Sequence, residues 1–255
     1  MGYLHALAAV IALLLFFILG IPLGIITLII DIFSREKGAS FASAYVRWGA
    51  GLVRRATGCR RTLIGAENLP KGRAALYIAN HRSIFDLLFT LELLPGRLAP
   101  VAKKELKNIP FLHFWMRQIN TLFLDRSNIR AGVQMVIDAA NLVKGGTSVL
   151  IFPEGTRNRT DEPVQEFHGG SFKIAIKAGA PVVPLTIIGT RHVFEEHMPS
   201  IHPANVTIVI GKPIETAGMP IAERKTLHER CQKEIGETYA QWSARAASGE
   251  GESSS

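Results

Sequence analysis

Cysteine is nearly absent from the sequence. Cys59 and Cys231 stand far apart, with no CxxC pair and no spacing suited to a metal ion. This argues for a reduced compartment and against a disulfide framework or zinc module. No P-loop and no GxGxxG turn occurs, so the usual signatures of nucleotide-binding enzymes are missing. No internal repeat and no nucleic-acid reader motif is present. Charge is missing altogether from Ala6 to Ile30. Nothing basic precedes that run except the terminus, it is too long for a signal peptide, and no small-residue cleavage site follows it.

As a straight helix the uncharged run would reach roughly 37 Å, more than the ~30 Å hydrocarbon core of a bilayer. Pro22, between Gly20 and Gly24, is expected to kink or break it. The readings are a single tilted, kinked span, two short helices forming a hairpin in one leaflet, or a buried hairpin in a soluble protein. Arg35, Lys37, Arg47, Arg54 and Arg55 follow the run, which places the rest of the chain on the cytoplasmic side of a membrane. Residues 40–57 read as an amphipathic helix, with Phe41, Tyr45, Trp48 and Leu52 at helical spacing, suited to a membrane interface or to docking. Residues 1–58 thus form a membrane-directed unit, 59–247 the main domain, and 248–255 a small, polar tail expected to be disordered. The formal net charge of +8 calls for an anionic partner: nucleic acid, an anionic membrane or acidic substrates. The first is disfavoured by the missing reader motif.

Beyond residue 60 strand and helix patterns alternate. Strands read over 61–64, 74–79, 98–102, 121–124, 147–152, 181–188 and 206–210. Helices read over 87–94, 111–116, 128–144, 169–178 and 221–247. This is an α/β fold: a mostly parallel or mixed sheet flanked by helices, preceded by a membrane-embedded helical segment. In helix 128–144, Ile129, Val133, Val136, Ile137, Ala140 and Val143 form the apolar face.

Several strands end in polar turns, which a parallel sheet gathers on one edge. The first is Asn80-His81-Arg82-Ser83-Ile84-Phe85-Asp86. His81 in the loop can act as a base near neutral pH, and Asp86 in the first helical turn leans back toward it. Ser83 and Asp86 also match a capping box, which alone would account for the aspartate. Lys103, Arg126 and Arg157 stand at later strand ends. Pro153-Glu154-Gly155-Thr156-Arg157 offers backbone amides and a guanidinium fork, both suited to phosphate.

These blocks resemble the glycerolipid acyltransferases, and within them the 1-acylglycerol-3-phosphate acyltransferases. The resemblance runs through His81 to Asp86, Lys103-Lys104-Glu105-Leu106, Phe123-Leu124-Asp125-Arg126, Phe152 to Arg157, and Val183-Pro184-Leu185, in family order. Phe167-His168-Gly169-Gly170 departs from the lysine-bearing form common there, and Lys173 or Lys177 is a candidate replacement. The resemblance implies acyl transfer from coenzyme A or acyl carrier protein, as co-substrate, to the 2-hydroxyl of lysophosphatidic acid. It implies no metal and no further cofactor. His81 and Asp86 would be catalytic, and Lys103, Arg126, Glu154, Gly155, Thr156 and Arg157 would bind substrate. The alternatives are acylation of glycerol-3-phosphate or another lysophospholipid, and a non-catalytic lipid-binding scaffold.

Overall fold

The computed structural model describes residues 1–125 and 128–248. Arg126 and the tail from 249 onward lie outside the described residues. Within them are seven strands and seven α-helices. The strands are β1 (Arg60–Ile64), β2 (Leu76–Ala79), β3 (Leu98–Lys103), β4 (Leu122–Leu124), β5 (Ser148–Ile151), β6 (Val182–Ile188) and β7 (Asn205–Ile210). The helices are α1 (Gly2–Phe33), α2 (Arg35–Ala56), α3 (Phe85–Leu93), α4 (Pro110–Gln118), α5 (Ile129–Lys144), α6 (Lys173–Ala178) and α7 (Ile221–Ser248).

One mixed sheet has the order β1-β7-β6-β2-β5-β3-β4. Neighbours are parallel except β6 and β7, so β2 to β6 run one way and the β1–β7 pair runs the other. Central β2 is buried throughout, which explains its continuous apolar run. Its alternate side chains feed two cores. Leu76 and Ile78 join Met135, Ala139, Phe172, Ile174 and Leu227 from α5, α6, α7 and the turn before α6. Tyr77 and Ala79 join Phe85 and Phe89 of α3.

α1 and α2 form an antiparallel hairpin that reverses at Ser34, whose hydroxyl accepts from Lys37 N to cap α2. That cap starts α2 at Arg35 rather than at residue 40. At the open end His5 Nδ1 lies 3.4 Å from Ala56 O. Midway the Phe16 ring stacks on Tyr45 at 4.8 Å and lies over Gly49. Pro22 does not break α1. The helix runs through it unbroken, and α4 packs across this stretch with Trp115 against Gly20 and Phe114 against Gly24. The two-helix reading of the uncharged run is therefore corrected: the hairpin is made of α1 with α2. Only one stripe of α1 is buried (Ala9, Ala12, Phe16, Gly20, Gly24 and Thr27), and Leu14, Ile18 and Ile25 are among the apolar side chains left exposed. By length and composition α1 can cross a membrane.

Two other expectations change. Residues 169–178 split into a 3-10 turn, Gly169–Phe172, and the short α6. The apolar stripe of α5 is not core throughout: Ile129 is 87% exposed and Val133 58% exposed, while Met135, Ala139, Ala140 and Val143 face the sheet. The exposed part borders a cavity, described next.

Candidate active site

The common direction of β2 to β6 brings their C-terminal ends to one edge, and the candidate residues gather there. Asn80 ends β2 fully buried. Its amide donates to Ile187 O (2.9 Å) and accepts from Ile187 N (2.7 Å), which ties the ends of β2 and β6 together. The next residue, His81, is thereby fixed where the chain leaves the sheet. Its ring stacks on Phe152 at the end of β5, with centroids 4.2 Å apart.

His81 Nδ1 lies 2.9 Å from Asp86 Oδ2, and Asp86 is fully buried. The same Oδ2 accepts from Arg82 N (2.6 Å) and Ser83 N (2.7 Å), and Oδ1 accepts from the Thr190 hydroxyl (2.5 Å). Three donors thus fix the carboxylate, which in turn fixes the ring. The Nδ1 contact leaves Nε2 as the ring atom free to accept a proton. The capping box forms only in part. Asp86 accepts from Ser83 N, but the Ser83 hydroxyl accepts from Phe85 N (3.0 Å) and donates to Glu195 Oε2 (2.6 Å).

The loop after β5 approaches from the other side. Gly155 sits at φ 72°, a left-handed conformation that glycine adopts freely. Glu154 is buried and does not border the cavity: Oε1 accepts from His81 N (2.7 Å) and Oε2 from Gln165 N (3.0 Å). Burial pushes its carboxyl above the ordinary range, and the two backbone donors offset this in part. Glu154 therefore ties the loop to the histidine turn rather than facing substrate. Asn158 N donates to His81 O (2.6 Å) and closes the same junction.

His81, Lys103, Gly155, Thr156 and Arg157 line one cavity of about 950 Å³. Arg159, Lys173 and Lys177 add further positive charge, and no carboxylate is among the described lining residues. The other wall is apolar, built by Ile84, Leu87, Leu124, Ile129, Val133 and Val136. Lys104 is turned aside, donating to Asp125 Oδ2 at 2.7 Å, which leaves Lys103 as the lysine of this block that borders the cavity. Among the described residues no group of three His, Cys, Asp or Glu side chains is arranged to hold a metal ion.

Sequence reasoning missed three contributors. Thr190 and Glu195 follow β6, more than a hundred residues from the histidine turn they contact. The edge rule applied to the end of β6 was the one signal for Thr190. Arg82 is buried: it donates to Glu162 O (2.6 Å) and Thr160 O (2.7 Å) and lies over the Tyr239 ring, 5.2 Å from its centroid. It holds the 158–163 segment beside the site.

Residues 60–188, half of the chain, match the Acyltransferase family. The probable 1-acyl-sn-glycerol-3-phosphate acyltransferase of Mycoplasma pneumoniae is 28% identical over 197 residues, covering 72% of this chain and 73% of that protein. The 1-acyl-sn-glycerol-3-phosphate acyltransferase of Borreliella burgdorferi is 31% identical over 54% of each chain. The chain thus spans nearly three quarters of the first protein and about half of the second. The crystal structure of the 1-acyl-sn-glycerophosphate (LPA) acyltransferase of Thermotoga maritima superposes with a TM-score of 0.80 at 27% identity, covering 96% of this chain and 97% of that one. With a family match over half its length, and the His81–Asp86 pair at the sheet edge inside it, the chain belongs to the acyltransferase family.

Proposed function

We propose that the protein transfers a fatty acyl group from a thioester, carried by coenzyme A or acyl carrier protein, to the free 2-hydroxyl of 1-acylglycerol-3-phosphate, giving phosphatidic acid. The observation that carries this reading is the His81–Asp86 pair opening onto one cavity with a cationic rim and an apolar wall. Such a cavity suits a molecule with a phosphate at one end and an acyl chain at the other. The names of the relatives point the same way.

A hydroxyl is a poor nucleophile until a base takes its proton. His81 Nε2 accepts that proton as the acceptor oxygen attacks the thioester carbonyl. The ester C–O bond forms, the C–S bond breaks, and the imidazolium returns the proton to the departing sulfur. Asp86 holds the ring and stabilises the imidazolium, the division of labour of a serine-hydrolase dyad with the substrate supplying the hydroxyl. Arg157 and Lys103 hold the acceptor phosphate. Orientation of this kind contributes up to roughly 7–11 kcal/mol in favourable cases.

The exposed apolar face of α1 supports a bilayer-embedded hairpin that brings this cavity to lipid substrates. The basic residues that follow α1 favour a cytoplasmic orientation of the catalytic unit. The test is an acceptor panel with purified protein in liposomes, with products identified by mass. Phosphatidic acid from lysophosphatidic acid supports the reading. Acylated glycerol-3-phosphate as the main product would change the acceptor. Silence with both donors would overturn catalysis.

A further inference from the structure

Between the histidine turn and the Arg157 loop stands a carboxylate to which nothing in the motif pattern assigns a role. Glu195 follows β6 and is mostly buried. Its Oε2 accepts from the Ser83 hydroxyl at 2.6 Å, and its Oε1 accepts from Ile84 N at 2.8 Å and from Arg157 Nη1 at 3.2 Å. Ser83 and Ile84 lie within the turn that begins with His81 and precedes α3, and Ser83 N also donates to Asp86. One side chain thus touches both the turn that carries the base and the arginine suited to phosphate.

We infer that Glu195 is a positioning residue that locks the phosphate-holding Arg157 to the His81 turn, so that the distance from bound phosphate to base is set before the acceptor arrives. This rests on the acceptor reading given above. The guanidinium has five N–H donors, and Glu195 engages Nη1 alone, which leaves Nε and Nη2 for an anion. The carboxylate therefore aims the fork without consuming it. It also sets two effects against each other. As a nearby negative charge it repels the phosphate, and as an anchor it fixes where the phosphate sits. Arg157 is partly solvent-exposed, so the repulsion is screened, whereas reaction rate is steeply sensitive to misplacement of the reacting atoms. Loss of the charge then leaves acceptor binding unweakened while transfer slows.

A double-mutant cycle distinguishes this from mere support of the turn. Glu195→Gln, Arg157→Ala and the double variant are compared with wild type in liposomes, reading kcat and acceptor KM for 1-acylglycerol-3-phosphate. Glu195→Gln is expected to lower kcat about tenfold with KM unchanged or lower, and to cost less than about twofold once Arg157 is alanine. The same tenfold loss in both backgrounds would make Glu195 a support of the turn and overturn the inference, as would an unchanged kcat. If Glu195→Gln does not fold, Glu195→Asp provides the same cycle with the charge kept and the reach shortened. No transfer to this acceptor by wild-type protein would instead overturn the acceptor reading on which the inference rests.

Discussion

Replacing Asp86 by asparagine changes two things at once. The amide nitrogen must face either Thr190 or the cluster formed by His81, Arg82 N and Ser83 N, which removes one acceptor from a fully buried site. The imidazolium also loses its counter-charge. Asp86→Asn is expected to lower kcat by about 10²–10⁴-fold and stability by about 1–3 kcal/mol, measured by initial rates and by thermal unfolding. Glu154 gives a pH signature. Burial raises its carboxyl, so the folded chain keeps a proton that the unfolded chain releases near the ordinary 4.5. Its contribution to stability is present below that value and lost as pH rises through the raised one. Denaturation across a pH series should therefore show Glu154→Gln gaining on wild type as pH rises through this window. A constant difference would contradict the assignment. At this scale the His81–Asp86 pair was legible because six residues of local sequence contain it. Thr190 and Glu195 were not, because their partners come from a distant strand end and only the folded sheet brings them together. Glu154 was legible as part of the loop but not in its role, since no spacing tells whether a carboxylate turns outward or back to the chain.

The elements themselves were legible from periodicity, with failures of a consistent kind. A sequence pattern reports which side chains are apolar, not which surface will cover them. The apolar face of α5 was legible, but not that its first half forms the apolar wall of the cavity. Pro22 looked like a kink or a break, but α1 runs through it unbroken, with α4 packed against Gly20 and Gly24. The α1–α2 contact depends on similarly close approach. A Cβ on Gly49 would overlap the Phe16 ring, which also stacks on Tyr45 and packs against Trp115. Gly49→Ala is expected to cost about 1–3 kcal/mol by overpacking, seen as a lower unfolding temperature in detergent. An unchanged temperature would mean that the hairpin is looser than its geometry indicates.

The whole molecule joins a basic, apolar-walled cavity to a helix whose exposed surface is almost entirely hydrocarbon. Leu14 and Ile18 are 54% and 61% exposed on α1 and support no core. Glutamate at both positions would place two charges against hydrocarbon. Each charge costs roughly 2.5–3.5 kcal/mol at a bilayer centre, so the double variant should float free of liposomes while the folded domain persists. Continued membrane retention would argue that α2 or the basic surface is the main attachment. Sheet class, the approximate limits of most elements and the gathering of strand ends on one edge all followed from the alternating pattern. The pairing of β7 with β1, antiparallel to β6, did not, because no local pattern reports strand order or direction. The central prediction concerns His81. In liposomes with acyl-coenzyme A or acyl carrier protein and lysophosphatidic acid, wild-type protein should form phosphatidic acid. His81→Ala, folded and still membrane-bound, should lose at least roughly 10²–10⁴-fold in rate. Turnover by that variant near the wild-type rate would contradict general-base catalysis at this site.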